Sequence, residues 1–120
     1  MAQLADRYCH LHVHSHYSLL DGVMTIPAMV RSAKDQGMKA LALTDHGNMY
    51  GAVEFHDCCH DAGIKPIIGI EAYITDGSRH DRKREHGKQH AFHLILLAEN
   101  EVGYRNLLQL TTGAFTEGFY

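Results

Sequence analysis

The sequence predicts an α/β fold, built like one part of a barrel, in which strands of a parallel sheet alternate with helices. Two observations predict it. Short apolar runs bounded by turn residues alternate with segments whose apolar residues recur at helical spacing. Histidine and acidic residues collect where three successive strands end, which is the edge where such folds place their chemistry. The predicted order β-α-β-α-β-loop-β-α favours right-handed crossovers between parallel strands.

The strands are predicted from short apolar or alternating runs. In the first, apolar residues alternate with histidines, so one face of the strand is apolar and the other carries imidazoles. A charged loop without an apolar period, residues 75–90, separates the last two strands. The predicted strands are Tyr8–His14, Ala40–Thr44, Pro66–Ile74 and Phe92–Ala98.

Three helices are predicted from their apolar faces and end signals. Thr25 suits the N-cap of the first helix, and Gly37 suits its C-terminal stop. The second helix covers residues 51–62, and Gly63 suits its C-terminal stop. The third follows the cap residue Asn100 through about residue 110, and residues 111–120 carry no strong signal.

The chain is too short to form a closed barrel of this kind. A closed barrel of this kind needs about eight strand–helix units and roughly 250 residues, whereas 120 residues hold three or four units. We therefore expect an incomplete barrel. Its unpaired sheet edges favour instability or self-association.

Composition narrows the function classes. The net charge of −3 argues against a generally basic nucleic-acid binder, although the basic stretch Arg79–Lys88 either contacts phosphates or is a solvated loop. The chain has three cysteines, Cys9 and the adjacent pair Cys58 and Cys59. An odd count with an adjacent pair indicates reduced thiols in the cytoplasm rather than a disulfide framework. No apolar run reaches about 18 residues, and Met1–Arg7 lacks the apolar stretch of a signal peptide. We expect no membrane partner.

Histidine is the outlier, with 11 among 120 residues. Imidazole is the commonest metal ligand, and a mixed histidine and carboxylate set suits zinc, manganese or iron better than calcium or magnesium. Two or three such ions close together typically catalyse phosphoester hydrolysis. The candidate residues at the strand ends are His12, His14, Asp21, Asp45, His46 and Glu71.

Each motif also has a purely structural interpretation. A His-x-His pair often decorates a surface strand, and Asp21 before glycine suits a simple turn. Asp45-His46-Gly47 suits a helix-capping turn, and Glu71 alone suits an ion-paired strand residue. Their joint occurrence at successive strand ends favours the metal site.

The other histidines have simpler interpretations. His10 suits packing behind the site, and His16 suits a solvated loop. His56 and His60 are four residues apart on a helix, a spacing that can bind metal but also suits an exposed face. His93 opens the fourth strand, which in a parallel sheet is the wrong end, so its role as a ligand stays open.

Four segments together resemble one known family. HLHVHSHYSLLDG at 10–22 and LTDHGNMYGAVE at 43–54 resemble the first two motifs of the polymerase-and-histidinol-phosphatase (PHP) domain. GIKPIIGIEAY at 63–73 and HLILLAENEVGYRNL at 93–107 are similar to its polymerase branch, found at the N-terminus of the alpha subunits of bacterial replicative DNA polymerases. The resemblance covers nearly the whole chain.

The resemblance implies a (β/α)7-type, TIM-like barrel whose cleft holds up to three divalent metal ions. The family's ligand positions fall on His12, His14, Asp21, His46 and Glu71. It also implies catalytic roles for Asp45 and His46, with Asp45 orienting His46 or its loop.

The resemblance further implies a parent protein that replicates DNA and a PHP domain that removes nucleotides from a DNA 3′ end as a metal-dependent 3′→5′ exonuclease. DNA and other replicase subunits are then the expected partners. Residues 1–120 are expected to be the N-terminal portion of the domain, with later ligands and the polymerase domains beyond residue 120. The alternatives are a non-catalytic scaffold of the polymerase and a stand-alone PHP-type phosphatase.

Overall fold

A computed structural model describes residues 8–80 and 91–118 as a mixed α/β structure. A three-stranded sheet lies against helices whose apolar faces cover it. Within those ranges, no helix has the length and apolar character needed to cross a membrane. The elements are α1 Ile26–Asp35, β1 Ala40–Leu43, α2 Ala52–Ala62, β2 Lys65–Ile74, β3 Phe92–Leu97 and α3 Glu101–Glu117.

The sheet has the order β1-β2-β3 and is not parallel throughout. β1 and β2 run parallel, but β3 runs antiparallel to β2, with Tyr73 opposite His93. The all-parallel expectation was therefore wrong. A parallel neighbour needs a crossover of a dozen or more residues, usually a helix, and residues 75–90 have no helical apolar period. The start of β3 consequently lies beside the end of β2.

The predicted first strand is also wrong, because the segment bends at residues 11–12. It still runs beside β1: the carbonyl oxygen of His10 accepts from Ala42 N at 2.9 Å, and that of Val13 accepts from Thr44 N at 2.8 Å. The backbone N–H of Val13 donates instead to the side-chain hydroxyl of Thr44 at 2.9 Å. This contact takes one donor out of the regular ladder, so the apolar alternation does not produce a strand.

The core lies between α1, α2 and the sheet. Its largest fully buried side chains include Phe55 and Ile26. The predicted ends of α1 and α2 agree with the structure, and Gly63 closes α2 in the left-handed conformation at φ 73°. Helix α3 runs to Glu117, seven residues beyond the predicted end at 110, and buries only Leu107. A helix so exposed has little apolar periodicity from which its length can be predicted.

Candidate metal centre

The predicted ligands come from four separate parts of the chain. His12 and His14 lie in the bent segment beside β1, and Asp21 lies in the following loop. His46 lies three residues after the end of β1 and forms an isolated parallel bridge with Glu71 of β2. Gly47 N donates to the carbonyl oxygen of Glu71 at 2.9 Å, which holds the end of β1 against β2. Hydrogen bonds at the sheet edge thus bring His46 beside Glu71.

Glu71 is the centre of this arrangement, with 3% of its surface exposed. Its Oε2 lies 2.6 Å from Nε2 of His12 and 2.6 Å from Nε2 of His14. Its Oε1 lies 2.5 Å from Nδ1 of His93 and 3.7 Å from Nδ1 of His46. Four imidazoles therefore converge on one buried carboxylate.

Asp21 contributes a second carboxylate to the site. Its Oδ2 lies 2.7 Å from Nε2 of His46 and 3.3 Å from Nδ1 of His14. The hydrogen bond with His46 lowers the pKa of Asp21 below its usual value, and the charges of His14 and His46 add to this. Asp21 therefore presents a carboxylate to two imidazoles.

The charge state of Glu71 is set by opposing effects. Burial by itself raises the pKa of this carboxyl group, but hydrogen bonds with His12, His93 and His14 outweigh burial and lower the pKa to about 2. Glu71 is thus an anion at neutral pH, which is the form that ligates a metal ion.

The ligand atoms form three overlapping sets, and within each set they lie within 4.8 Å of one another. Each set shares one residue with each of the other two, so that His14, His46 and Glu71 each belong to two sets. The sets are His12, His14 and Glu71; His14, Asp21 and His46; and His46, Glu71 and His93. We call them the outer, middle and inner sets.

These residues fit divalent metal ions. Nδ1 of His46 is buried and has no hydrogen-bond partner, although buried polar atoms are normally paired. Nε2 of His12 and Nε2 of His14 lie 3.1 Å apart and approach the same oxygen of Glu71. Nitrogen donors mixed with carboxylates suit zinc, manganese or iron.

Asp45 stands apart from this cluster. It is 1% exposed, and its oxygens accept from Ser15 N at 2.6 Å, Ser15 Oγ at 2.7 Å and Ser18 Oγ at 2.7 Å. Both oxygens are engaged by the loop, which agrees with the predicted role of Asp45 in orienting His46 or its loop. The predicted catalytic role of Asp45 stays a prediction.

His93 joins the cluster because β3 is antiparallel to β2. Its place at the start of the strand is then at the same edge as Glu71, whose oxygen it contacts. The sequence signal that identifies it is the lack of a helical apolar period in residues 75–90, which indicates an antiparallel neighbour. Tyr73, opposite His93, stacks beside His46 with the ring planes 14° apart.

The remaining histidines for which a role was considered lie elsewhere in the described part of the chain. His10 is exposed and packs edge-on against Tyr8. His56 and His60 are exposed on α2, their ring centroids 6.4 Å apart. His16 packs against Tyr17 in the loop after the bent segment.

The basic stretch predicted at Arg79–Lys88 lies outside the described residues except for Arg79 and His80. Arg79 forms an ion pair with Glu117 of α3 at 2.5 Å. That contact gives Arg79 a partner within the chain.

Comparisons with known proteins agree with the motifs. The family model described as the PHP domain matches residues 10–120. DNA polymerase III subunit alpha of Chlamydia pneumoniae is 57% identical over 92% of this chain, and that of Treponema pallidum is 53% identical over 94%. That of Aquifex aeolicus is 46% identical over 98% of this chain. The chain spans only 9% or 10% of the length of these relatives.

A solved structure shares the fold. An amidohydrolase from Chromobacterium violaceum aligns over 88% of this chain and 33% of its own, with a TM-score of 0.56 and 23% sequence identity. At that identity the likeness concerns the fold alone.

Proposed function

This chain belongs to the PHP domain family, and from that premise we propose that it is the N-terminal part of a metal-dependent phosphoesterase domain in a bacterial replicative DNA polymerase alpha subunit. The proposed reaction is hydrolysis of the phosphodiester bond at a DNA 3′ end. The relatives named DNA polymerase III subunit alpha support a parent protein that acts in DNA replication. Polymerisation is proposed for the parent and is not assigned to these residues.

One observation carries the proposal: four imidazoles converge on the buried carboxylate of Glu71 and form, with Asp21, three overlapping ligand sets. Divalent ions held there would activate water near neutral pH and neutralise charge on phosphoryl oxygens. The proposed ligands are His12, His14, Asp21, His46, Glu71 and His93.

The residues around the proposed ions also determine access to the cluster and the positions of the ligands. The half-exposed side chain of His12 (56%) leaves one side of the cluster open to an incoming phosphate, while Glu71 closes the other side. His46 links the middle and inner sets, since its two ring nitrogens face Asp21 and Glu71. Asp45 acts as a positioning residue behind His46.

In this proposal the sheet is part of a (β/α)7-type barrel, and the partners are DNA at its 3′ end and other subunits of a cytoplasmic replicase. Zinc, manganese and iron are the proposed ions, because the donor set combines imidazoles with carboxylates. Up to three ions correspond to the three ligand sets.

The test combines metal analysis with a nuclease assay. We expect the purified full-length parent protein to retain stoichiometric zinc, manganese or iron and to shorten a 5′-labelled single-stranded DNA from its 3′ end. The double variant His12→Ala/His14→Ala should lose both properties. The matched control His56→Ala/His60→Ala, which removes two exposed histidines of α2, should keep both.

Other outcomes separate the alternatives. Unchanged hydrolysis in His12→Ala/His14→Ala, in a preparation free of other nucleases, would refute the proposal. Metal removal that lowers the melting temperature without any hydrolysis to lose would indicate a structural scaffold. Release of phosphate from small monoesters would indicate a stand-alone phosphatase instead.

A further inference from the structure

Ser15, Ser18 and Asp45 form a buried hydrogen-bond network behind the metal centre, at exposures of 0%, 3% and 1%. The carboxylate of Asp45 receives three hydrogen bonds, from the backbone N–H of Ser15 and from the hydroxyls of Ser15 and Ser18. A buried charge is costly unless it is paired or hydrogen-bonded. This network, which we call the loop lock, therefore favours one arrangement of the loop around Asp45.

Backbone hydrogen bonds within the same loop also hold it in a tight turn. The carbonyl oxygen of Ser18 accepts from Asp21 N at 3.1 Å and from Gly22 N at 2.7 Å, and Met24 O accepts from His16 N at 2.9 Å. A Cβ at Gly22 would lie 1.7 Å from the carbonyl oxygen of Ser15. Only glycine fits this contact, so the loop is built to close tightly against the loop lock.

The loop lock connects the two segments that carry the middle set. His14 directly precedes Ser15, and His46 directly follows Asp45. The hydroxyl of Ser18 donates to Asp45 at 2.7 Å and accepts from the backbone N–H of His46 at 3.1 Å. One hydroxyl thus joins the loop of Asp21 to the end of β1.

We propose that the loop lock sets the position of Asp21 between His14 and His46, and through it the affinity of the middle set for a divalent ion. The inference rests on the proposed metal-binding function. The outer and inner sets both contain Glu71, which the sheet holds. The middle set instead takes its carboxylate from a loop residue. Ser15, Ser18 and Asp45 are therefore positioning residues with a selective effect on one ion.

The test is a stepwise titration of the metal-free protein with Mn²⁺ and, separately, Zn²⁺, recording the number of ions bound and the affinity of each step. Asp21→Asn identifies the step that belongs to the middle set. We expect Ser18→Ala to weaken that same step by about tenfold or more, as loss of groups that orient ligands typically does, and to change the other steps less than twofold. Ser32→Ala is the matched control, because its hydroxyl lies on α1 and accepts a hydrogen bond from the exposed side chain of Gln36.

The readout separates positioning from general stabilisation of the fold. A lower melting temperature with every binding step unchanged would overturn the proposal, and so would an equal weakening of all steps. If Ser18→Ala does not fold, Ser18→Cys keeps a side chain of similar size with a much weaker donor, and the same selective loss is expected. A wild-type protein that binds no ion would overturn both the proposed function and the loop lock, whereas wild-type binding with a uniform response would overturn the loop lock alone.

Discussion

Replacing Glu71 with glutamine removes the negative charge on which the histidines of the metal centre converge, while keeping the size of the side chain. In the metal-free protein the carboxylate holds imidazoles of His12, His14 and His93 at 2.5–2.6 Å. The glutamine amide keeps one oxygen acceptor and places an NH2 donor where the second carboxylate oxygen stood. We therefore expect the metal-free Glu71→Gln variant to be less stable than the wild type.

The magnitude follows from the pKa of Glu71. A pKa lowered from 4.5 to about 2 corresponds to about 3 kcal/mol at 1.36 kcal/mol per pKa unit. Because the cluster is open to solvent at His12, screening reduces this to about 1–2 kcal/mol. A lowered carboxyl pKa adds stability that is fully present above pH 4.5 and is lost as the pH falls through 2. This contribution is therefore fully present at pH 5.5 and shrinks as the pH falls toward 2.

The assay is urea unfolding of chelator-treated protein at pH 5.5 and at the lowest pH where the protein stays folded. We expect Glu71→Gln to lower the free energy of unfolding by about 1–2 kcal/mol at pH 5.5 and by less at the lower pH. Glu99→Gln, at an exposed position, is the control and should change little at either pH. A loss of stability that is the same at both pH values would refute the reasoning, because it would not depend on the charge of Glu71.

Three further changes test other parts of the structure. His93→Ala should remove one bound ion, that of the inner set, and leave the other sets able to bind; elemental analysis that shows no change in metal content would exclude His93 as a ligand. Phe55→Ala should lower the free energy of unfolding by about 3–5 kcal/mol, because the ring is fully buried in the core; denaturant unfolding measures it, and a loss below about 1 kcal/mol would contradict the packing. Leu94→Lys, at a position that is 47% exposed on the last strand of the described sheet, should reduce self-association in sedimentation velocity, whereas a wild-type protein that is already monomeric would show that this strand does not self-associate.

Local patterns predicted the helices well. The apolar face of α1 and the glycine stops after α1 and α2 depend on interactions within a few residues, and the structure confirms them. The strands depended more on distant partners. The apolar alternation of residues 8–14 suggested a strand, but the Thr44 hydroxyl takes the backbone donor of Val13 and the segment bends. Nothing within that segment reveals the competing acceptor.

The metal centre likewise combines features that local patterns predicted with features that depend on distant partners. Five predicted ligands lie together at one edge of the sheet. His46 and Glu71 meet there because β1 and β2 are neighbouring parallel strands, whereas the other three come from the bent segment beside β1 and the loop after it. Whether they bind metal stays a prediction. His93 was left open, since its place at the site depends on the direction of β3. Asp45 was predicted to orient His46 or its loop, and only the structure identifies Ser15 and Ser18 as the residues that hold its oxygens.

The α/β class, the positions of α1 and α2, the excess of metal-binding side chains and the resemblance to the PHP domain can all be predicted from the sequence, because they depend on local spacing and residue type. The direction of β3, the convergence of four imidazoles on Glu71 and the burial of Asp45 are visible only in the folded chain. Strand direction and hydrogen-bond partners depend on which groups lie next to each other across the sheet. Such contacts join residues as far apart in the chain as His12 and Glu71, and no local sequence pattern extends over that separation.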